Sequence, residues 1–131
     1  MTTHDIHGIA EIRTLVDAFY IKVRKVALLG PVFEARISDW DKHLQIMYRF
    51  WNAALFQVRE YTGNPFAAHA SLPVETEHFR RWIELFFETL DERFEGPVTE
   101  DAKRRATIMA NTFNRRIHEI RSVTRHQPLN N

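Results

Sequence analysis

Tyr61-Thr62-Gly63-Asn64-Pro65-Phe66-Ala67-Ala68-His69 is the stretch on which the fold turns. Gly63 permits dihedrals that other residues avoid, and Pro65 cannot continue a helix arriving from upstream. A helix running into this segment must therefore stop near Tyr61. Proline is well tolerated in a first helical turn, so a short helix is expected to start at Pro65. It would carry Phe66 and His69 before Pro73 interrupts the chain again.

On both sides the apolar residues recur at helical spacing. Upstream, a long helix is expected from about Asp39 to Val58, with Trp40, His43, Met47, Phe50, Trp51 and Ala54 near one face. Ser38 suits its N-cap, and Asp39 and Asp41 favour its first turn. Before it, Leu29-Gly30-Pro31-Val32-Phe33 forces a corner. The first helix fits Ile9 to about Ala27, with Ile9, Ile12, Val16, Phe19, Val23 and Val26 on its stripe.

Downstream, Glu75 to about Phe94 reads as a helix burying Phe79, Trp82, Ile83, Phe86 and Leu90, ended by Gly96-Pro97. Thr99 can cap the last helix, which runs to about Val123 with Ala102, Ala106, Met109, Phe113, Ile117 and Ile120 inside. The tail from His126 frays. There is no alternating strand pattern, internal repeat or low-complexity stretch. The class is all-α, in a single domain over 1–131 whose core spans about 6–123.

With 131 residues, 44% hydrophobic and 27% charged, the chain can bury a real core. A net charge of +1 gives no bulk attraction to nucleic acid or membranes. The N-terminal ten residues lack an apolar signal core, and no apolar run approaches the ~20 residues of a bilayer span. With no cysteine, disulfides, thiolate metal sites, iron–sulfur clusters and thioether-attached haem are excluded. A soluble cytoplasmic protein is expected. Ten Phe, three Trp and three Tyr exceed ordinary need. They can fill a small core, or line a pocket for a flat apolar ligand.

If that ligand were a haem, its axial ligand would be an imidazole, and seven histidines compete. His4, His7 and His126 lie in terminal segments expected to move. His118 sits among Arg115, Arg116, Glu119 and Arg121 on a solvated face. Glu75 and His78 have the Glu-x-x-His spacing of di-iron bundles, but no second such motif occurs, so the pair reads as chance. His43 and His69 remain, both with apolar neighbours. For each, a hydrogen-bonded core or surface histidine stands beside the ligand reading, and spacing does not choose.

Four motifs resemble the group III truncated haemoglobins in order and spacing. Phe19-Tyr20-Ile21-Lys22-Val23-Arg24, followed by Leu29-Gly30-Pro31-Val32-Phe33, is similar to their opening. Asp39-Trp40-Asp41-Lys42-His43 with Phe50-Trp51 is similar to their distal helix. The 61–69 stretch resembles the approach to their proximal histidine, and His78-Phe79-Arg80-Arg81-Trp82 the start of the next helix. The likeness covers about residues 6 to 123. Four glycines, none adjacent, leave out the Gly-Gly pairs of the other truncated groups.

The resemblance implies a truncated globin fold, a two-over-two helical sandwich with a short proximal helix. It implies haem b, bound non-covalently, with His69 as the proximal iron ligand. Tyr20 and Trp82 would be distal donors, and His43 the distal histidine that gates access or swings toward the iron. Phe33 would pack on the porphyrin. Phe19, Ile46, Met47, Phe50, Phe66, Phe79 and Phe86 would line the pocket, with Arg49 a candidate propionate partner.

A diatomic ligand that gains negative charge on ferrous iron is stabilised by donors in a dry pocket. Alone, Tyr20 could equally reach solvent and Trp82 bond a backbone carbonyl. Two strong donors should slow oxygen release, which suits redox work on nitric oxide or reactive oxygen species better than bulk oxygen transport. The expected partners are oxygen, carbon monoxide, nitric oxide and peroxide, with an external reductase, since no flavin or nicotinamide motif appears. The protein would act as a monomer, without nucleic acid or membrane. Enzyme activity stays open between nitric oxide dioxygenase and weak peroxidase, and gas sensing needs the same pocket. Peroxidase chemistry is less favoured, because Ala68, Ala70 and Ser71 offer no carboxylate beside His69. The other class is a helical interaction module. Residues 103–126 carry Lys103, Arg104, Arg105, Arg115, Arg116, Arg121 and Arg125 against Glu119 alone, although such runs are usually solvated faces.

Overall fold

A computed structural model of the chain describes residues 3–59 and 73–126, with side chains to 123. The short helix expected at Pro65, with Phe66 and His69, lies outside the described residues. Five helices occur among the described residues: α1 (Ile9–Lys25), α2 (Gly30–Arg36), α3 (Trp40–Phe56), α4 (Thr76–Arg93) and α5 (Pro97–His126). The pairs α1/α3 and α4/α5 pack within themselves and are joined by contact of α1 with α4. This is the all-α, two-over-two globin arrangement.

The expected corner at Leu29 to Phe33 opens a helix instead. Pro31 sits in the first turn of α2, where its missing N–H is no loss, and Gly30 N–H donates to Val26 O at 2.7 Å. At Gly30 the start of α2 nearly touches the end of α1: a Cβ there would stand 2.6 Å from Arg24 O. Only glycine admits that approach.

The caps differ from expectation. Asp39, not Ser38, caps α3, its carboxylate accepting from Lys42 N–H at 3.1 Å. α5 starts at Pro97, so Thr99 lies inside its first turn rather than before it. Asp5 reaches across instead, accepting from Val98 N–H at 2.9 Å, Thr99 N–H at 2.8 Å and the Thr99 hydroxyl at 2.7 Å. The N-terminal segment is therefore docked, not loose. His4 O accepts from Glu95 N–H at 3.0 Å, and Ile6 is fully buried.

The core gathers Ile12, Leu15, Val16, Phe19 and Val23 of α1 against Leu85, Phe86 and Leu90 of α4, with Ala102 and Ala106 letting α5 come close. Ile9 and Ile120, expected inside, are 37% and 47% exposed. Ile9 opens its helix at the rim, and α5 continues beyond Ile117, the last of its described side chains to be buried. Among the described residues no helix is long and apolar enough to cross a membrane.

Candidate functional site

α1 brings Phe19 and Tyr20 to the wall of an open, largely apolar cleft. Periodicity explains which side chains of α3 join them. His43, Met47 and Phe50 follow at offsets of four and seven, so they share one helix face. Phe33 of α2 and Phe79 and Trp82 of α4 complete the aromatic wall.

Tyr20, His43 and Trp82 on this wall are linked by ring contacts. Tyr20 is 7% exposed, and its ring stands edge-on to His43, with centroids 5.1 Å apart. Phe19 lies between Tyr20 and Trp82, edge-on to both at 5.1 and 5.3 Å. Burial pushes the Tyr20 phenol well above its ordinary pKa, so it keeps its proton. No described residue accepts a hydrogen bond from the Tyr20 hydroxyl or from the Trp82 indole. Both residues line the cleft. Beside them Trp40, 5.8 Å from Tyr20 and 5.7 Å from His43, buries its Nε1 without a hydrogen-bond partner among the described residues. The Arg24 guanidinium covers the Trp40 ring at 4.3 Å.

Phe86 was expected on the pocket wall but lies behind it. Its ring is stacked between Trp82, at 5.4 Å and 3°, and Trp51, at 4.9 Å and 20°. It braces the wall without lining it. Ile46 is half-buried at the edge of the α3 face and does not reach the cleft. Arg49 is exposed, because it falls roughly 200° around the helix from Met47.

Other residues line the cleft without having been singled out for it: Leu29, Trp51, Val74, His78, Met109, Ala110 and Phe113. The stripe on α5 placed Met109 and Phe113 inside, but helical spacing does not say which cavity a buried residue borders. The Glu75/His78 pair has a local use. The Glu75 carboxylate accepts from the His78 backbone, and His78 Nδ1 accepts from Glu75 N–H at 2.9 Å, a capping box at the start of α4.

The basic run on α5 is largely answered by acids. Lys103 meets Asp91 and Glu100, Arg104 and Arg105 both meet Asp101, and Arg121 meets Glu75 at 3.0 Å. Exposed pairs of this kind contribute little stability.

Comparison with known proteins decides the family. The profile of the bacterial-like globins matches residues 3–119. The chain belongs to the bacterial-like globin family. Within it the chain is similar to the group 3 truncated hemoglobin ctb of Campylobacter jejuni, at 31% identity over 113 residues, covering 82% of this chain and 89% of that protein. The crystal structure of the group III truncated hemoglobin from Campylobacter jejuni superposes on this globin with a TM-score of 0.81 at 29% identity, covering 88% of this chain and 95% of the other. The group III assignment read from the four motifs therefore holds.

Globin membership implies a haem cofactor, and the cleft fits one. Its walls are aromatic and aliphatic, as a flat apolar macrocycle requires. Tyr20 and Trp82, donors on that wall with no acceptor among the described residues, are what a polar ligand on such a group would need.

Proposed function

We propose that this globin holds haem b in the aromatic cleft with His69 as its iron ligand, and reacts with diatomic gases rather than carrying oxygen in bulk. The observation that carries this reading is the Tyr20 hydroxyl. Its ring is buried against His43 and Trp40, and the hydroxyl keeps its proton and has no acceptor among the described residues. A ligand that accepts from it gains a hydrogen bond strengthened by the low dielectric of the cleft.

The haem, when bound, supplies the iron that takes up the gas and exchanges electrons with it. The chain's own residues supply the rest. Phe19, Phe33, Phe50 and Phe79 exclude water and give the macrocycle an apolar seat. Tyr20 and Trp82 donate hydrogen bonds at the distal end, where low dielectric strengthens them. Phe86 and Trp51 keep Trp82 from rotating away. His43, edge-on to Tyr20, stands where it can gate entry.

Two fixed donors favour retention of oxygen, so the work is redox: oxidation of nitric oxide or removal of reactive oxygen species, with an external protein reductase supplying electrons. The test is hemin titration of the purified protein beside His69→Ala, read by absorption. Stoichiometric uptake, with a Soret band that narrows when carbon monoxide is added to the reduced protein and is weakened or altered in the variant, supports the reading. Absence of stoichiometric uptake by the wild type overturns it. An unaltered spectrum in His69→Ala moves the ligand to another residue.

A further inference from the structure

His78 lies on the cleft wall with Tyr20, His43 and Trp82, and the proposed function leaves it without a task. Its tautomer is fixed by local structure. Nδ1 accepts the Glu75 N–H at 2.9 Å, so in the neutral ring the proton sits on Nε2. No described residue accepts from that Nε2–H, and the ring is half-buried. The capping contact also removes the freedom of the ring, since rotation would break the hydrogen bond to Glu75.

The nearest negative charge is already engaged elsewhere. The Glu75 carboxylate takes the His78 backbone N–H and meets Arg121 at 3.0 Å and His118 at 3.7 Å, which holds it toward α5. His78 therefore presents a fixed donor on a wall that is otherwise almost wholly apolar. A flat apolar ligand whose edge carries carboxylates requires a donor of this kind where the carboxylates emerge.

We propose that His78 is a carboxylate-binding residue of the cleft, its Nε2–H donating to an acidic edge group of the bound macrocycle. The inference rests on the proposed haem function and adds to it the residue that orients the cofactor by its acidic edge. The role expected of Arg49 passes to His78, since Arg49 points away from the cleft.

The experiment compares two porphyrins in three proteins. Wild type, His78→Glu and His78→Gln are each loaded with hemin or with hemin dimethyl ester, and the rate of haem loss to an excess of apo-globin is measured. Glu and Gln are both capping-box residues, so the start of α4 is preserved in each variant. His78→Glu is expected to speed hemin loss on the order of 10-fold, the scale of a hydrogen bond to a charged group, while leaving the ester unchanged. His78→Gln, which still offers a donor, should fall between. Equal acceleration for both porphyrins, or no acceleration for either, overturns the inference while haem binding itself stands. Failure of the wild type to take up either porphyrin overturns haem binding and this inference with it. Should His78→Glu not fold, the difference between porphyrins in His78→Gln decides.

Discussion

The Tyr20 ring meets the His43 imidazole edge-on, centroids 5.1 Å apart and planes at 85°. This contact joins α1 to α3 at the wall of the cleft. It fixes the phenol, because His43, Trp40, Phe33 and Phe19 surround the ring on four sides. The hydroxyl itself has no acceptor among the described residues. Tyr48 shows the other fate of a buried tyrosine. Its hydroxyl donates to Asp17, and burial together with that hydrogen bond pushes its pKa up to about 12.

The two tyrosines should respond oppositely to loss of the hydroxyl. Tyr48→Phe removes a made hydrogen bond and should lower stability by about 1 kcal/mol. Tyr20→Phe should leave the ligand-free protein as stable as before, or slightly more so. In the haem-loaded protein it should speed oxygen dissociation by roughly 10- to 100-fold, matching a hydrogen bond of about 1.5–3 kcal/mol to a charged acceptor. Urea melts and stopped-flow oxygen release read the two effects. An unchanged release rate would remove Tyr20 from the distal role.

Phe86→Ala should destabilise the fold by about 3–5 kcal/mol, since the ring is fully buried. It should also free Trp82, which Phe86 holds almost parallel at 3°. The expected signature is a lower urea midpoint with a weakened near-ultraviolet circular dichroism signal from tryptophan. Loss of stability with an intact tryptophan signal would mean that Trp82 is held by other contacts.

The helices were legible because each turns one apolar stripe inward, and α1, α3, α4 and α5 begin and end within a few residues of the expected places. Capping was less legible. Asp5 caps α5 from more than ninety residues away in the chain, and only the folded structure brings the two together. The aromatic wall was read through family resemblance, since periodicity alone makes Phe86 and Phe79 equivalent. Which one touches the cleft and which braces it depends on the rotation of α4 against α1. His78 was passed over because its pairing with Glu75 suggested a metal motif lacking its second half. Its use as a cap, with one nitrogen left for the cleft, is visible only once the start of α4 is built.

Gly30→Ala tests the close approach of α2 to α1. The new methyl would meet backbone, not a flexible side chain, with Arg24 O at 2.6 Å. Two helices would have to part, at a cost of about 1–3 kcal/mol as for other overpacked sites. Gly8→Ala is the control, since a Cβ there meets nothing within 4 Å, and a change within about 0.5 kcal/mol is expected. Equal thermal shifts for the two variants would show that the α1–α2 junction is loose.

Asp5→Asn tests the long-range cap. Burial acts to raise the Asp5 pKa, but hydrogen bonds from the Thr99 hydroxyl and from the Val98, Ile6 and Thr99 backbone outweigh it, and the carboxyl titrates below its ordinary value. A carboxyl with a folded pKa below its unfolded one stabilises the protein fully above the unfolded value, near pH 4, and loses that contribution as pH falls through the folded value. Asp5→Asn should therefore cost about 1 kcal/mol at neutral pH, the size of a lost helix cap. The gap between wild type and variant should hold down to about pH 4 and close below it, as the wild-type carboxyl takes up its proton. Urea unfolding of both proteins at pH 7, 5, 4 and 3 measures the gap directly. A constant gap across that range would mean that Asp5 acts through its shape and neutral hydrogen bonds, and that its charge contributes nothing at the start of α5.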